Sequence, residues 1–207
     1  MADGAPRKET RIQAEKRELI REAALDVFSR HGFRGSTLDQ IAEAAGLSKP
    51  NLLYYFESKD AIHRDLLERL LDTWLDPLRE LDGGGDPVRE IRGYIQRKLE
   101  AARDYPRESR LFANEIIQGA PRIADELQGP LRELVDEKSA ILRRWMAQGR
   151  LARMDPHHLI FAIWAITQHY ADFDVQVRAV LGSDDEARFH DAAAAIEMLF
   201  FRGLLPR

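Results

Sequence analysis

The sequence predicts an all-α protein. Apolar residues recur at three- and four-residue steps through most of the chain. No stretch shows β-type alternation of useful length, and there is no internal repeat. The joins between periodic segments carry Gly, Pro, Ser, Thr and Asp, the residues that end and start helices.

The elements follow in order. Ile20, Ala23, Ala24, Val27 and Phe28 mark one face of a first helix, which His31-Gly32 ends, because Gly takes the left-handed position just past a helix. Ser36-Thr37 starts a short second helix carrying Leu38, Ile41 and Ala42, and Gly46 breaks it. Ser48 opens a third, with Pro50 tolerated in its first turn. Ser58 caps a longer amphipathic run through Ile62, Leu66, Leu67, Leu70, Leu71 and Trp74, ending near Pro77. Asp82-Gly83-Gly84-Gly85-Asp86-Pro87 is the clearest linker and suggests a flexible joint. Helical patterns then fill residues 88–104, 109–118, 131–148, 156–181 and 184–201, giving about nine helices in all. Residues 1–16 are expected to form a flexible tail, with a minor-groove arm built on Arg7, Lys8 and Arg11 as the alternative.

Composition narrows the functional classes. A chain of 207 residues suits one or two domains. Its 44% hydrophobic and 32% charged residues are those of a globular protein rather than a disordered one. The absence of cysteine excludes disulfides, thiolate metal sites and cysteine nucleophiles, and fits a reducing compartment. No apolar run approaches the roughly 20 residues of a membrane helix, and residues 1–16 lack the apolar stretch of a secretory signal. A cytoplasmic protein without membrane association is the expectation. The net charge of −4 does not advertise nucleic-acid binding, although the first 60 residues are neutral and the remainder carries the whole deficit. A DNA-binding reading therefore rests on local residues.

Those residues lie between Thr37 and Lys59. Two short helices joined by a turn at Gly46 follow the helix-turn-helix plan, in which the second helix enters the major groove. Ile41, Ala45 and Leu47 are placed to pack the two helices together, leaving Ser48, Lys49 and Asn51 at the start of the second. Asn pairs with adenine, and Lys reaches guanine or phosphate. Tyr55 and Lys59 lie further on, where a hydroxyl and an ammonium can hold phosphates; Thr37 opens the first short helix, whose N-terminus also suits a phosphate. Composition alone favours a helical hairpin with a solvated face.

The stretch TLDQIAEAAGLSKPNLLYYFESKDAI, with Phe28 and Gly32-Phe33 upstream, resembles the signature of the TetR family, in which the helix-turn-helix ends in an aromatic-rich segment and Phe-x-Ser-Lys. The resemblance implies a TetR-type fold: a DNA-binding domain at 17–62 behind the tail, an effector-binding and dimerisation domain at 63–207, a homodimer, and palindromic double-stranded operator DNA as partner. Leu53 stands where the family often carries a Tyr that touches phosphate, so either that contact is missing or Leu53 packs inward. A closer resemblance, through WLDPLRE, IQRKLEAARDYPRESRLFANEI, GAP, DEKSA and DPHHLIFAIWAITQHYADF, is to the pyrimidine-utilisation branch of the family. It implies a repressor of pyrimidine-breakdown genes that answers to uracil or thymine; another small aromatic or hydrophobic effector is the alternative.

A flat, polar effector needs a mostly apolar pocket, a ring to stack on and a few placed polar groups. Phe161, Trp164, Gln168 and Ala171 fall on neighbouring turns of one helix face; the Gln168 amide can both donate and accept, and Trp164 can stack. Trp74, Lys98 and Phe112 join them only if the family fold holds. Against this, a Trp at helical spacing also suits a core, and a Gln or Lys a solvated face. His157-His158 point about 100° apart on a helix and suit a helix start better than a shared metal. No nucleophile elbow, P-loop or dinucleotide fingerprint is present, so neither an enzyme nor a cofactor is expected. An all-helical scaffold is the remaining rival. The apolar faces of the last two helices (Phe173, Val177, Val180; Ala193, Ile196, Leu199, Phe200) fit a self-complementary dimer more economically.

Overall fold

The computed structural model describes residues 10–183 and 185–205. Every regular element among them is helical. They fall into two compact units, one up to Arg69 and one from Leu70.

The first unit holds α1 (Arg11–Gly35), α2 (Leu38–Ala44), α3 (Lys49–Tyr55) and the start of α4 (Lys59–Arg79). The side chain of Thr10 accepts from Gln13 N, and the Gln13 side chain accepts from Thr10 N, a capping box that satisfies two otherwise orphaned donors. Arg11–Lys16, expected in the tail, are thus the first turns of a helix; Arg7 and Lys8 lie outside the described residues. Gly32 adopts φ 66° and interrupts α1, after which one more turn runs to Gly35, so the first helix extends past the expected stop. Ile20, Ala24 and Phe28 of α1, Ile41 of α2, Leu52 of α3 and Ile62 of α4 are buried, each contributing about 1.5–3 kcal/mol for the larger side chains. Arg21 donates from Nε and Nη2 to the two oxygens of Asp65 (2.7 and 3.0 Å), a bidentate tie between α1 and α4.

The second unit holds the rest of α4, then α5 (Pro87–Asp104), α6 (Pro106–Ile117), the single turn α7 (Ala124–Glu126), a π-helical turn (Leu127–Leu131), α8 (Arg132–Ala147), α9 (Pro156–Asp172), α10 (Asp174–Leu181) and α11 (Ala187–Leu204). Helix α5 lies at its centre, packed on α9, α11 and α6. The core is built from Ile91, Tyr94 and Ile95 of α5, Trp145 of α8, Ile160 and Ile163 of α9, and Ile196 of α11.

Several features differ from expectation. Helix α4 continues through Pro77 to Arg79, whose guanidinium folds back onto Asp72 O and the Asp72 and Asp76 carboxylates. The triglycine segment is a pinned turn rather than a flexible joint: Arg144 donates to Gly83 O (3.2 Å), Arg150 to Gly85 O (3.1 Å), and the buried Lys138 to Arg79 O (2.9 Å). The helix expected over 156–181 divides at Phe173, which caps α9 by donating its N–H to His169 O (3.1 Å). The last helix starts at Ala187; Asp184, expected to open it, lies outside the described residues.

Candidate DNA-reading and effector sites

In the first unit, Thr37 and Ser48 cap the two short helices. Thr37 Oγ1 accepts from Gln40 N (3.2 Å), Gln40 Oε1 accepts from Thr37 N (2.8 Å), and Ser48 Oγ accepts from Asn51 N (3.4 Å). Gly46 takes the left-handed φ of 63° that the intervening turn requires. Thr37, Ser48, Lys49, Asn51 and Leu53 are all exposed, and Tyr55 is half-buried. Leu53 therefore does not pack inward. Lys49 Nζ lies 2.9 Å from Asp39 Oδ2, an exposed pair that joins α2 to α3.

Lys59 also has a local structural role. Its ammonium donates to Phe33 O and Ser36 O, each at 2.7 Å, and lies 4.2 Å from the centroid of the Phe33 ring. It ties the end of α1 to the start of α4, using two of its three donors there. Tyr54, beside Leu53 in the aromatic segment, is 71% exposed and meets Tyr55 edge-on.

In the second unit, the five expected effector residues line one cavity of about 430 Å³. Trp74 comes from α4, Lys98 from α5, Phe112 from α6, and Trp164 and Gln168 from α9. Of their expected neighbours on α9, Ala171 is core and Phe161 is exposed. The remaining wall is mainly apolar, with Leu71 and Leu75 flanking Trp74 and Ile116 following Phe112. Leu127 and Leu131 close one side from the π-helical turn, a segment with Gly129-Pro130 that periodicity cannot assign. Asp172 also lines the cavity and is missed by sequence reasoning, although its spacing of four from Gln168 puts it on the same helix face.

The cavity's electrostatics are set by burial. Lys98 is 3% exposed; desolvation pulls its ammonium down to about 8, with the Asp172 carboxylate pulling the other way. Asp172 is pushed above the usual carboxylate range by burial, opposed by a hydrogen bond from Ser109 and by the Lys98 charge. Trp164 Nε1 donates to the Tyr94 hydroxyl, which orients the indole at the cavity wall; burial pushes the Tyr94 phenol up. Trp74 Nε1 is buried and has no hydrogen-bond partner among the described residues.

His157 bridges Asp155 and Asp136 at 3.1 and 3.0 Å, which raises its pKa, and Asp155 caps α9. No group of three His, Cys, Asp or Glu side chains among the described residues could hold a metal ion. No helix among them is long and apolar enough to cross a membrane. On the last helices Phe173, Val180, Met198 and Leu199 are exposed, whereas Ile196, expected on the same face, is core.

One unit carries a helix-turn-helix and the other a mainly apolar cavity, the two parts of a regulator fold. Residues 20–66 match the tetR family of bacterial regulatory proteins, and residues 67–207 match the YcdC-like protein C-terminal region. The chain belongs to the tetR family and is a DNA-binding transcriptional regulator, not an enzyme. It is 49% identical over 202 residues to the HTH-type transcriptional regulator RutR of Escherichia coli, covering 97% of this chain and 95% of that one. Among solved structures, a TetR-like transcriptional regulator from a Rhodococcus species superposes with a TM-score of 0.69 at 23% identity, covering 95% of this chain and 98% of that one. A transcriptional regulator from Streptomyces coelicolor gives 0.69 at 26% identity, covering 89% and 97%.

Proposed function

We propose that this regulator is a homodimeric repressor of pyrimidine-degradation genes, released from its operator by uracil or thymine. The observation that carries the reading is the convergence of Trp74, Lys98, Phe112, Trp164 and Gln168 from four helices on one cavity. Its volume suits a small ring, since ligand pockets run from about 300 to 1,000 Å³. Its indoles can take the faces of a flat ring, and Lys98 and Gln168 offer polar groups to ring carbonyls and N–H groups. The resemblance of the surrounding segments to the pyrimidine-utilisation branch, and the 49% identity to RutR, support the choice of effector.

DNA reading is assigned to the domain at 17–62, through Thr37, Ser48, Lys49, Asn51, Leu53 and Tyr55, with Lys59 supporting them. Effector binding and dimerisation are assigned to 63–207. The effector acts by population shift. Leu71, Trp74 and Leu75 belong to α4, whose first residues lie in the DNA-reading unit, so an effector that favours one setting of α4 biases the spacing of the two DNA heads. A coupling of about 1–3 kcal/mol is typical of such systems.

Calorimetric titration with uracil, thymine and cytosine tests the reading. Saturable heat with uracil or thymine, and none with cytosine, is expected. No heat with any of them at several temperatures would leave a DNA-binding regulator with another effector; the apolar majority of the lining suits a different small aromatic ring.

A further inference from the structure

Asp172 lies one turn beyond Gln168, at the end of α9, and faces the same cavity. Its Oδ1 accepts from Ser109 Oγ, a fully buried hydroxyl on α6. Its Oδ2 accepts from no donor among the described residues. One donor lining the same cavity lacks an acceptor among those residues: the Lys98 ammonium, which has no carboxylate within ion-pair distance. Leaving such groups unpaired away from water is costly, and native structures rarely do so without a functional reason.

The vacant positions are one donor and one acceptor. Their complement is a –CO–NH– unit, a carbonyl acceptor beside an N–H donor, which the imide edge of a pyrimidinedione contains. Gln168 cannot select such an edge, because its amide can turn to offer either group. A carboxylate with Ser109 on one oxygen can only accept through the other.

We propose that Asp172, held in place by Ser109, is the specificity-determining residue of the cavity: it accepts the imide N–H of the ring, while an adjacent ring carbonyl accepts from Lys98. The inference rests on the proposed pyrimidine effector and adds the edge that is read. A ring with a lone pair at that position meets the carboxylate lone pairs instead. Sites built around a buried hydrogen-bonding group reject analogues that cannot complete it more strongly than apolar pockets reject a misfit.

The test compares uracil with 3-methyluracil, which keeps both carbonyls and loses the imide N–H, on the full-length protein by calorimetry. The wild type is expected to bind uracil at least about 10-fold more tightly than 3-methyluracil. Asp172→Asn is expected to weaken uracil by about 10- to 150-fold, the range for a hydrogen bond to a charged group, and to shrink the preference over 3-methyluracil. Ser109→Ala should weaken uracil less while shrinking the preference in the same direction. Thermal melting checks that each variant folds; if Asp172→Asn does not, Ser109→Ala carries the test. Uracil binding by the wild type, with affinity and preference unchanged in the folded variants, would overturn the role of Asp172 and leave the pyrimidine effector standing. No uracil binding by the wild type would overturn both.

Discussion

The Lys98 ammonium lies 4.7 Å from the centroid of the Trp74 ring, buried on the wall of the cavity. The indole face and the field of Asp172 are what stabilise its charge. An isolated buried cation costs stability, and replacing such a group with an apolar side chain of similar volume is often stabilising by about 1–4 kcal/mol. Lys98→Met is therefore expected to raise the melting temperature and to abolish uracil binding. Lower stability with effector binding retained would make Lys98 a structural lysine.

The same residue sets a pH dependence. Its folded pKa of about 8 lies below the ordinary lysine value of 10.5. Between those values the unfolded chain binds more protons than the folded one, so the Lys98 contribution makes stability rise with pH over that interval. Effector binding runs the other way. A carbonyl accepting from Lys98 needs the ammonium, so uracil affinity is expected to hold below about pH 8 and fall above it. Titrations at pH values on either side of 8 check this, and the Met variant's stability should lack the corresponding slope.

Lys49 is paired with Asp39 at 2.9 Å on the exposed face of the helix-turn-helix. An exposed pair is worth little, so exchanging Asp39 for a phosphate costs little. Lys49→Ala is expected to weaken binding to all DNA sequences and to reduce the salt slope by about one phosphate contact. Asn51→Ala should cost about 1–3 kcal/mol at the preferred site and relax its specificity. Both should leave uracil binding intact, as anisotropy and calorimetry on the same samples would report.

Lys59 satisfies Phe33 O and Ser36 O where α1 ends. Lys59→Met is expected to destabilise the DNA-reading unit by about 1.5–3 kcal/mol, read by chemical denaturation. Unchanged stability with lost DNA affinity would instead mark Lys59 as a phosphate contact.

Leu199 is 66% exposed on α11 and Phe161 is 47% exposed on α9, apolar side chains that a second copy of the chain would cover. Leu199→Asp is expected to shift the protein from dimer to monomer in sedimentation velocity and to weaken operator binding with it. A dimer as stable as the wild type would place the interface elsewhere.

Local signals are legible wherever a side chain meets its own backbone. Thr37, Ser48 and Asp155 cap helices, and each can be recognised from the residues that follow it. Helix faces are legible too, which is why spacing alone pairs Trp164 with Gln168. What periodicity does not supply is which neighbour answers each side chain. The capping box at Thr10 makes a helix of residues whose polar, mixed-charge composition reads as tail. Lys59 looks like any exposed lysine until the carbonyls of Phe33 and Ser36 are placed beside it. Glycines usually loosen a chain, but Gly83 and Gly85 are held by arginines more than 60 residues away. The break at Phe173 carries no Gly or Pro, and the link from Ser109 to Asp172 joins α6 to α9.

The central claim, that a pyrimidine in the cavity releases the dimer from DNA, is tested most directly by selecting genomic DNA fragments on the purified protein, with and without uracil. Enrichment of a palindromic site that uracil or thymine abolishes and cytosine leaves intact is expected. Enrichment of the same site to the same extent in the presence of saturating uracil would contradict that claim.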